Sequence, residues 1–183
     1  MTKRIMLGVA AVALSFAAAA PAHAQAHVGI SAGASFPTGD FGNSFNSGYN
    51  VNGIIGVSMP MSPIGFRGEV GWNQFDLKGG SSGDKSRIFN GTANVVLTPS
   101  TMMPAKPYLI AGLGAYNVKF EGTTLLGGTS SSSDTRLGFN GGVGLKFGLG
   151  DLATFLEARY VSINGTNGGS SLNYVPVTFG ITF

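Results

Sequence analysis

The chain has 183 residues, no cysteine and a formal net charge of +3. Charged residues are only 10% of it, against ~25% in ordinary soluble domains, while 30 residues are Gly. This composition excludes disulfides and a cysteine-anchored lipoprotein, and it gives no basic footprint for nucleic acid.

Met1-Thr2-Lys3-Arg4 is a short positive start, and Ile5–Ala20 follows without a charge. Pro21 and Ala22-His23-Ala24 then lead to Gln25. Positive head, apolar stretch and small-residue exit read as a secretory signal peptide over residues 1–24, cleaved after Ala24 and exported by the Sec pathway. An uncleaved anchor is the poorer reading, because the apolar run falls short of the ~20 residues of a spanning helix. Loss of Lys3 and Arg4 leaves nine basic and eight acidic residues in the domain at 25–183, so the basic balance belongs largely to the leader.

Beyond Ala24 the chain alternates with period two, the signature of strands with two unlike faces. Strand one is expected at His27–Phe36, with Val28, Ile30, Ala32, Ala34 and Phe36 opposite Gly29, Ser31, Gly33 and Ser35. A polar loop opens at Pro37. Strand two, Tyr49–Met59, sets Tyr49, Val51, Ile55 and Val57 against Asn50, Asn52 and Gly56, with Ile54 out of pattern. After Pro60-Met61-Ser62-Pro63, strand three at Ile64–Asn73 opposes Phe66, Val70 and Trp72 to Arg67, Glu69 and Asn73. Strand four, Ser86–Thr98, follows a charged Gly/Ser loop. Strand five, Tyr108–Phe120, has two apolar registers, Leu109 with Leu113 and Tyr108 with Ile110 and Tyr116, so its inward face stays open. A long loop is expected from Glu121 to Asp134. Strand six, Thr135–Phe147, places Leu137, Phe139, Val143 and Leu145 opposite Arg136, Asn140 and Lys146. Strand seven, Leu152–Ile163, carries Glu157 and Arg159 opposite Leu156, Ala158 and Tyr160.

Strand eight is the stretch Tyr174–Phe183, with Val175, Val177, Phe179, Ile181 and Phe183 in one register. Nine residues rise ~30 Å, or ~23 Å at a tilt of ~40°, close to the ~25 Å apolar band of an outer-membrane barrel. Pro176 removes one ladder hydrogen bond, so local irregularity is expected there.

A soluble sandwich also alternates, with its apolar face inward. Here the polar register is mostly Gly, Ser, Asn and Thr, with few of the charges a water-washed face carries. Phe36, Tyr49, Phe66, Trp72, Phe89, Tyr160 and Phe183 fall near strand ends, where interfacial girdles sit. The expected fold is therefore all-β: an eight-stranded antiparallel up-and-down transmembrane β-barrel. The connections alternate long and short, which puts both termini on the periplasmic side.

The segments Ser35–Phe41, Pro107–Gly114, Phe155–Tyr160 and Pro176–Phe183 resemble the small bacterial outer-membrane β-barrel family that includes the OmpA, OmpX and OmpW types. The resemblance spans residues 26–183 and implies a monomeric barrel in the outer membrane of a Gram-negative-type bacterium. Implied partners are outer-membrane lipids and lipopolysaccharide, with the barrel-assembly machinery and periplasmic chaperones during biogenesis. Phe179, Ile181 and Phe183 resemble the family's assembly signal.

Chemistry at the site is expected to be structural. Acyl transfer or proteolysis at an outer rim needs a base poised near neutral pH. The two histidines are His23, in the leader, and His27, at the other end of strand one. No catalytic, cofactor or metal site is expected. A lumen charge network of Arg67, Glu69, Lys146, Glu157 and Arg159 is expected instead, because buried charges need partners and an eight-stranded barrel is just wide enough for side chains to fill. The function expected is a structural or interaction scaffold with a largely filled lumen. The alternative is a narrow, porin-like channel for ions or small solutes, including apolar ones.

Overall fold

The computed structural model describes residues 25–59, 62–79, 85–99, 103–123, 129–149, 152–165 and 171–183. The leader expected at 1–24 lies outside the described residues. Eight strands run in chain order: β1 (Gln25–Thr38), β2 (Gly48–Ser58), β3 (Ile64–Asp76), β4 (Lys85–Leu97), β5 (Ala105–Thr123), β6 (Thr129–Leu149), β7 (Leu152–Ile163) and β8 (Leu172–Thr182). Each pairs antiparallel with its neighbour, and β8 returns to β1, so the sheet closes. Closure leaves no free sheet edge, the condition for crossing lipid with strands. Phe183 lies just past β8, yet its N–H donates to Val28 O at 2.8 Å and its carbonyl accepts from Val28 N at 3.3 Å.

The alternation resolves as apolar side outward. Val28, Ile30, Val51, Val70, Val95, Leu113, Leu137, Val143, Leu156 and Phe179 are all exposed, while Ser31, Asn50, Glu69, Asn90, Asn140 and Glu157 are buried inside. That inverts the soluble arrangement and suits a lipid solvent. Six of the seven expected girdle aromatics are exposed on the outer face. Trp72, half-buried, stands edge-on to Tyr49 with ring centroids 5.6 Å apart.

The open parity of β5 is decided: Leu109 and Leu113 face lipid, whereas Tyr108, Ile110, Tyr116 and Val118 are buried in the lumen. Ile54 also points inward. The loop expected over Glu121–Asp134 is mostly ladder, with β5 and β6 paired outward to Thr123↔Thr129. The run Ser130–Ser133 pairs with Lys119–Gly122 despite its loop-like composition. At Pro176, β8 keeps its pairing with Ser35 of β1, but the β7 ladder is interrupted between Ala158↔Val177 and Val161↔Tyr174. The missing N–H is the physical cause.

The first long loop contains a short helix, α1 (Gly39–Ser44), where the sequence pattern suggests only polar loop. Gly39 begins it at φ 59°, in the left-handed region where a side chain is strained. Phe41 is 3% exposed and fits edge-on against Phe75, centroids 5.1 Å apart. Lys78 Nζ donates to Gly42 O at 2.6 Å and Lys78 N to Ser44 O at 2.9 Å, which ties α1 to the β3 arm. The helix therefore lies over the end of the barrel that carries the long connections.

Candidate functional site in the barrel lumen

Inward-facing positions stack in zones. Under α1 lies an apolar cluster of Phe41, Phe75, Ile88, Tyr116, Val118, Val161, Ile163 and Tyr174, with Phe45 and Leu172 against it. Phe75 meets Tyr174 edge-on at 5.5 Å. Tyr116 and Val118 of this cluster belong to the second apolar register that leaves β5 ambiguous in sequence.

Next comes a belt of amides and hydroxyls. Asn50 Nδ2 donates to Ser35 Oγ at 2.9 Å, Ser35 Oγ to Asn73 Oδ1 at 3.0 Å, and Asn73 Nδ2 to Asn90 Oδ1 at 3.1 Å. This chain ties β1 to β4 across the interior. Asn140 Nδ2 donates to Asn94 Oδ1 at 2.9 Å, and Asn94 Nδ2 to Thr92 Oγ1 at 3.0 Å. Side chains carrying both donor and acceptor can relay hydrogen bonds around a ring, which accounts for Asn at so many inward positions.

The charged residues meet below this belt. Glu157, 1% exposed, accepts from Arg67 Nη1 at 2.8 Å, from Tyr108 Oη at 2.7 Å and from Arg159 Nε. Glu69 accepts from Arg159 Nη1 at 2.7 Å and from Arg67 Nη1 at 3.3 Å. Two guanidinium groups and two carboxylates thus alternate in a quartet of zero formal charge, linking β3 to β7 across the lumen. The Arg67 guanidinium also lies over Phe155 at 5.1 Å and Tyr108 at 5.4 Å from the ring centroids. Cation–π contact of this kind is worth more when water is excluded. Beneath and beside the quartet, Ile54, Tyr108, Ile110 and Phe155 form a second apolar cluster.

Glycines make room for these bulky groups. A Cβ on Gly144 would run into the Tyr108 ring, and one on Gly180 into the Phe155 ring. Each aromatic therefore lies flat across a facing glycine.

Of the five residues expected in the charge network, Arg67, Glu69, Glu157 and Arg159 converge. Lys146 stands apart, in the mouth at the short-turn end with His27 and Lys106. It is inward-facing, as the alternation implies, but its cross-strand partner is Phe155, and the ion pairs of both carboxylates run to Arg67 and Arg159. Arg136 pairs with Asp134 at 3.0 Å near the long-loop end. Tyr108 as a partner of Glu157 escaped the sequence reading, because β5 parity was open and a buried tyrosine carries no sequence mark of its donor role. Phe179 and Phe183 are exposed on the outer face, 54% and 59% respectively, and Ile181 shares their register. Among the described residues no group of three or more His, Cys, Asp or Glu could hold a metal.

A closed eight-stranded sheet with a lipid-compatible exterior and a polar, side-chain-packed interior defines a small transmembrane β-barrel. The chain belongs to the outer membrane protein beta-barrel domain family, whose model matches residues 7–183. Neisserial surface protein A has a similar structure, with a TM-score of 0.64 and 18% identity over 87% of this chain and 97% of that one. A major outer membrane protein of Thermus thermophilus is similar at TM-score 0.63 and 15% identity, over 87% and 99%. The N-terminal barrel domain of Pseudomonas aeruginosa OprF is similar at TM-score 0.52 and 16% identity, over 87% and 99%. At these identities the likeness concerns the fold. No curated protein matches the chain.

Proposed function

We propose that this outer-membrane barrel is a monomeric structural and interaction scaffold that neither conducts nor catalyses. The filling of its lumen carries this reading. The void bordered by Asn50, Glu69, Asn140, Glu157 and Arg159 measures about 30 Å³, room for roughly one or two waters. Apolar clusters lie above and below it. A permeating ion would have to displace Phe41 and Phe75 at one end and cross the Arg67–Glu157 contact at the other. What remains for function is the outer surface and the loop end. The lipid-facing girdle meets membrane lipid and lipopolysaccharide, and the extended β5–β6 arm and the α1 cap offer contact surfaces beyond it. Export by Sec fits the leader read at residues 1–24, and delivery by periplasmic chaperones and insertion by the barrel-assembly machinery fit the outward register of Phe179, Ile181 and Phe183.

Planar-bilayer recording tests the reading. The purified barrel should give no steady conductance. Steady channels whose amplitude changes in Arg159→Ala would replace it with a narrow conduit for ions or small solutes, the reading that the polar lining of the central void favours.

A further inference from the structure

The end of the lumen opposite α1 is open. A cavity of about 520 Å³ enters there and ends on Arg67 and Tyr108. Its inward ammonium groups are those of Lys106 and Lys146, the His27 imidazole also lines it, and among the described residues no Asp or Glu does. Lys106 and Lys146 are directly opposed across the β5–β6 ladder. Like charges at such a position are destabilising, with Cβ atoms only ~5 Å apart. The His27 ring extends over Gly56 of β2, from the side opposite β5. Arg67 behind them is already committed to Glu69 and Glu157, so its charge is balanced and theirs is not. Val96 and Pro99 supply apolar wall to the cavity.

A barrel of this kind keeps its short turns on the periplasmic side, and this mouth is at that end. We propose that it binds a phosphate group presented from the periplasmic side, with the Lys106 and Lys146 ammonium groups and the His27 ring converging on the anion. Lysine suits this as a compact point charge on a flexible stem, and a phosphate monoester carries close to two negative charges at neutral pH. The cavity exceeds the size of an inorganic phosphate, and its apolar wall fits a small organic body attached to the anion. A soluble phosphomonoester and a phospholipid headgroup, whose phosphodiester carries one negative charge, share the phosphate oxygens that the two lysines would meet. The proposal holds whether or not the lumen conducts, because the cavity ends at Arg67.

The test uses the isotope-labelled barrel in a phosphate-free maltoside detergent, titrated with glycerol phosphate against sodium chloride at matched ionic strength. Saturable shifts of the Lys106, Lys146 and His27 backbone amides, half-complete at about 1 mM or below, are expected, with no such response to chloride. Lys106→Gln combined with Lys146→Gln should weaken binding at least tenfold. It should also raise the urea midpoint in phosphate-free buffer by relieving the opposed charges, which shows that the variant is folded. Repeating the titration in phosphatidylcholine nanodiscs separates the sources. A response kept in both media assigns the site to a soluble phosphomonoester, and a response lost only in nanodiscs assigns it to the lipid headgroup. No saturable shift in maltoside, or equal binding by the folded double variant, overturns the proposal.

Discussion

Replacing Glu157 by Gln is the sharpest perturbation of the lumen. The shape is nearly kept, but the quartet passes from two positive and two negative charges to two positive and one negative. Glu157 is 1% exposed and accepts from Arg67, Tyr108 and Arg159. A unit-charge pair at ~4 Å and an effective dielectric constant of ~20 interacts by about 4 kcal/mol, and Glu157 faces two guanidinium groups. Gln offers one carbonyl oxygen to three donors, so donors lose partners as well. Removing one member of a buried pair costs about 3–5 kcal/mol, and Glu157→Gln should cost that much. With a urea slope of about 1–3 kcal/mol per M, the midpoint should fall by about 1 M or more. Unfolding in lipid vesicles, followed by the fluorescence of the single Trp72 and by the gel mobility of the folded form, provides the assay.

The companion variant removes Arg159 as well. Glu157→Gln with Arg159→Gln leaves Arg67 beside Glu69 and restores zero formal charge. The double variant should therefore be more stable than the sum of the single losses predicts, by about 0.5–3 kcal/mol, the usual coupling of residues in contact. A Glu157→Gln loss below about 1 kcal/mol, or strictly additive losses, would refute the view that these four side chains act as one buried, balanced unit.

Gly144→Ala should destabilise by about 1–3 kcal/mol, the usual cost of overpacking, because its Cβ displaces Tyr108. Gly53→Ala, whose Cβ meets nothing within 4 Å, should change the same urea midpoint little. Leu113→Arg puts a charge on a lipid-facing position that is 70% exposed near mid-strand and should cost about 2–4 kcal/mol, whereas Asn117→Arg, further along β5 toward the long-loop end, should cost about 0–1 kcal/mol. Phe41→Ala should loosen α1 and speed amide exchange at Phe75 and Ile88, with a stability loss of about 3–5 kcal/mol if the cap is part of the core. Deletion of Phe183 removes one reciprocal pair of hydrogen bonds to Val28 and should reduce insertion in cells far more than it lowers the urea midpoint of barrel refolded in vesicles. Normal insertion of that truncation would count against Phe183 as an assembly signal.

The barrel was legible because its two faces obey different solvents. On β1, on the middle of β3 and β6, and around Glu157 and Arg159 of β7, the outward residues are greasy and the inward ones small, amide or charged, so period two divides them there; Phe75, Phe155, Val161 and Ile163 are the apolar exceptions that turn inward on β3 and β7. The same rule fails on β5, where Tyr108, Ile110, Tyr116 and Val118 turn inward to build the apolar clusters. Both registers are then apolar, and only the neighbouring strands can arbitrate. Ile54 misleads for the same reason. The β5–β6 arm was hidden differently. Ser130–Ser133 looks like loop, but each strand lends the other a ladder, and that contact is non-local. Composition likewise marks Lys146 as a lumen cation but carries no depth, so the sequence could not tell the quartet from the mouth.

Depth is where the charge distribution acquires meaning. Arg67, Glu69, Glu157 and Arg159 lie where the adjoining void holds at most a water or two, too few to solvate a lone charge, and there the charges alternate and sum to zero. Lys106 and Lys146 lie at an open mouth beside His27, where solvent or an anion can screen them, and there the charged side chains among the described residues are all basic. If the quartet were merely tolerated, shifting a charge between the two places would matter little. The balanced-lumen reading demands the opposite. Lys146→Glu, in reach of solvent, should leave the unfolding free energy within about 0.5 kcal/mol of wild type or improve it by pairing with Lys106, as surface changes do. Arg159→Glu, at the quartet, should be lost to folding altogether. Similar effects of the two reversals would mean that the lumen is wet throughout and that burial does not organise its charge.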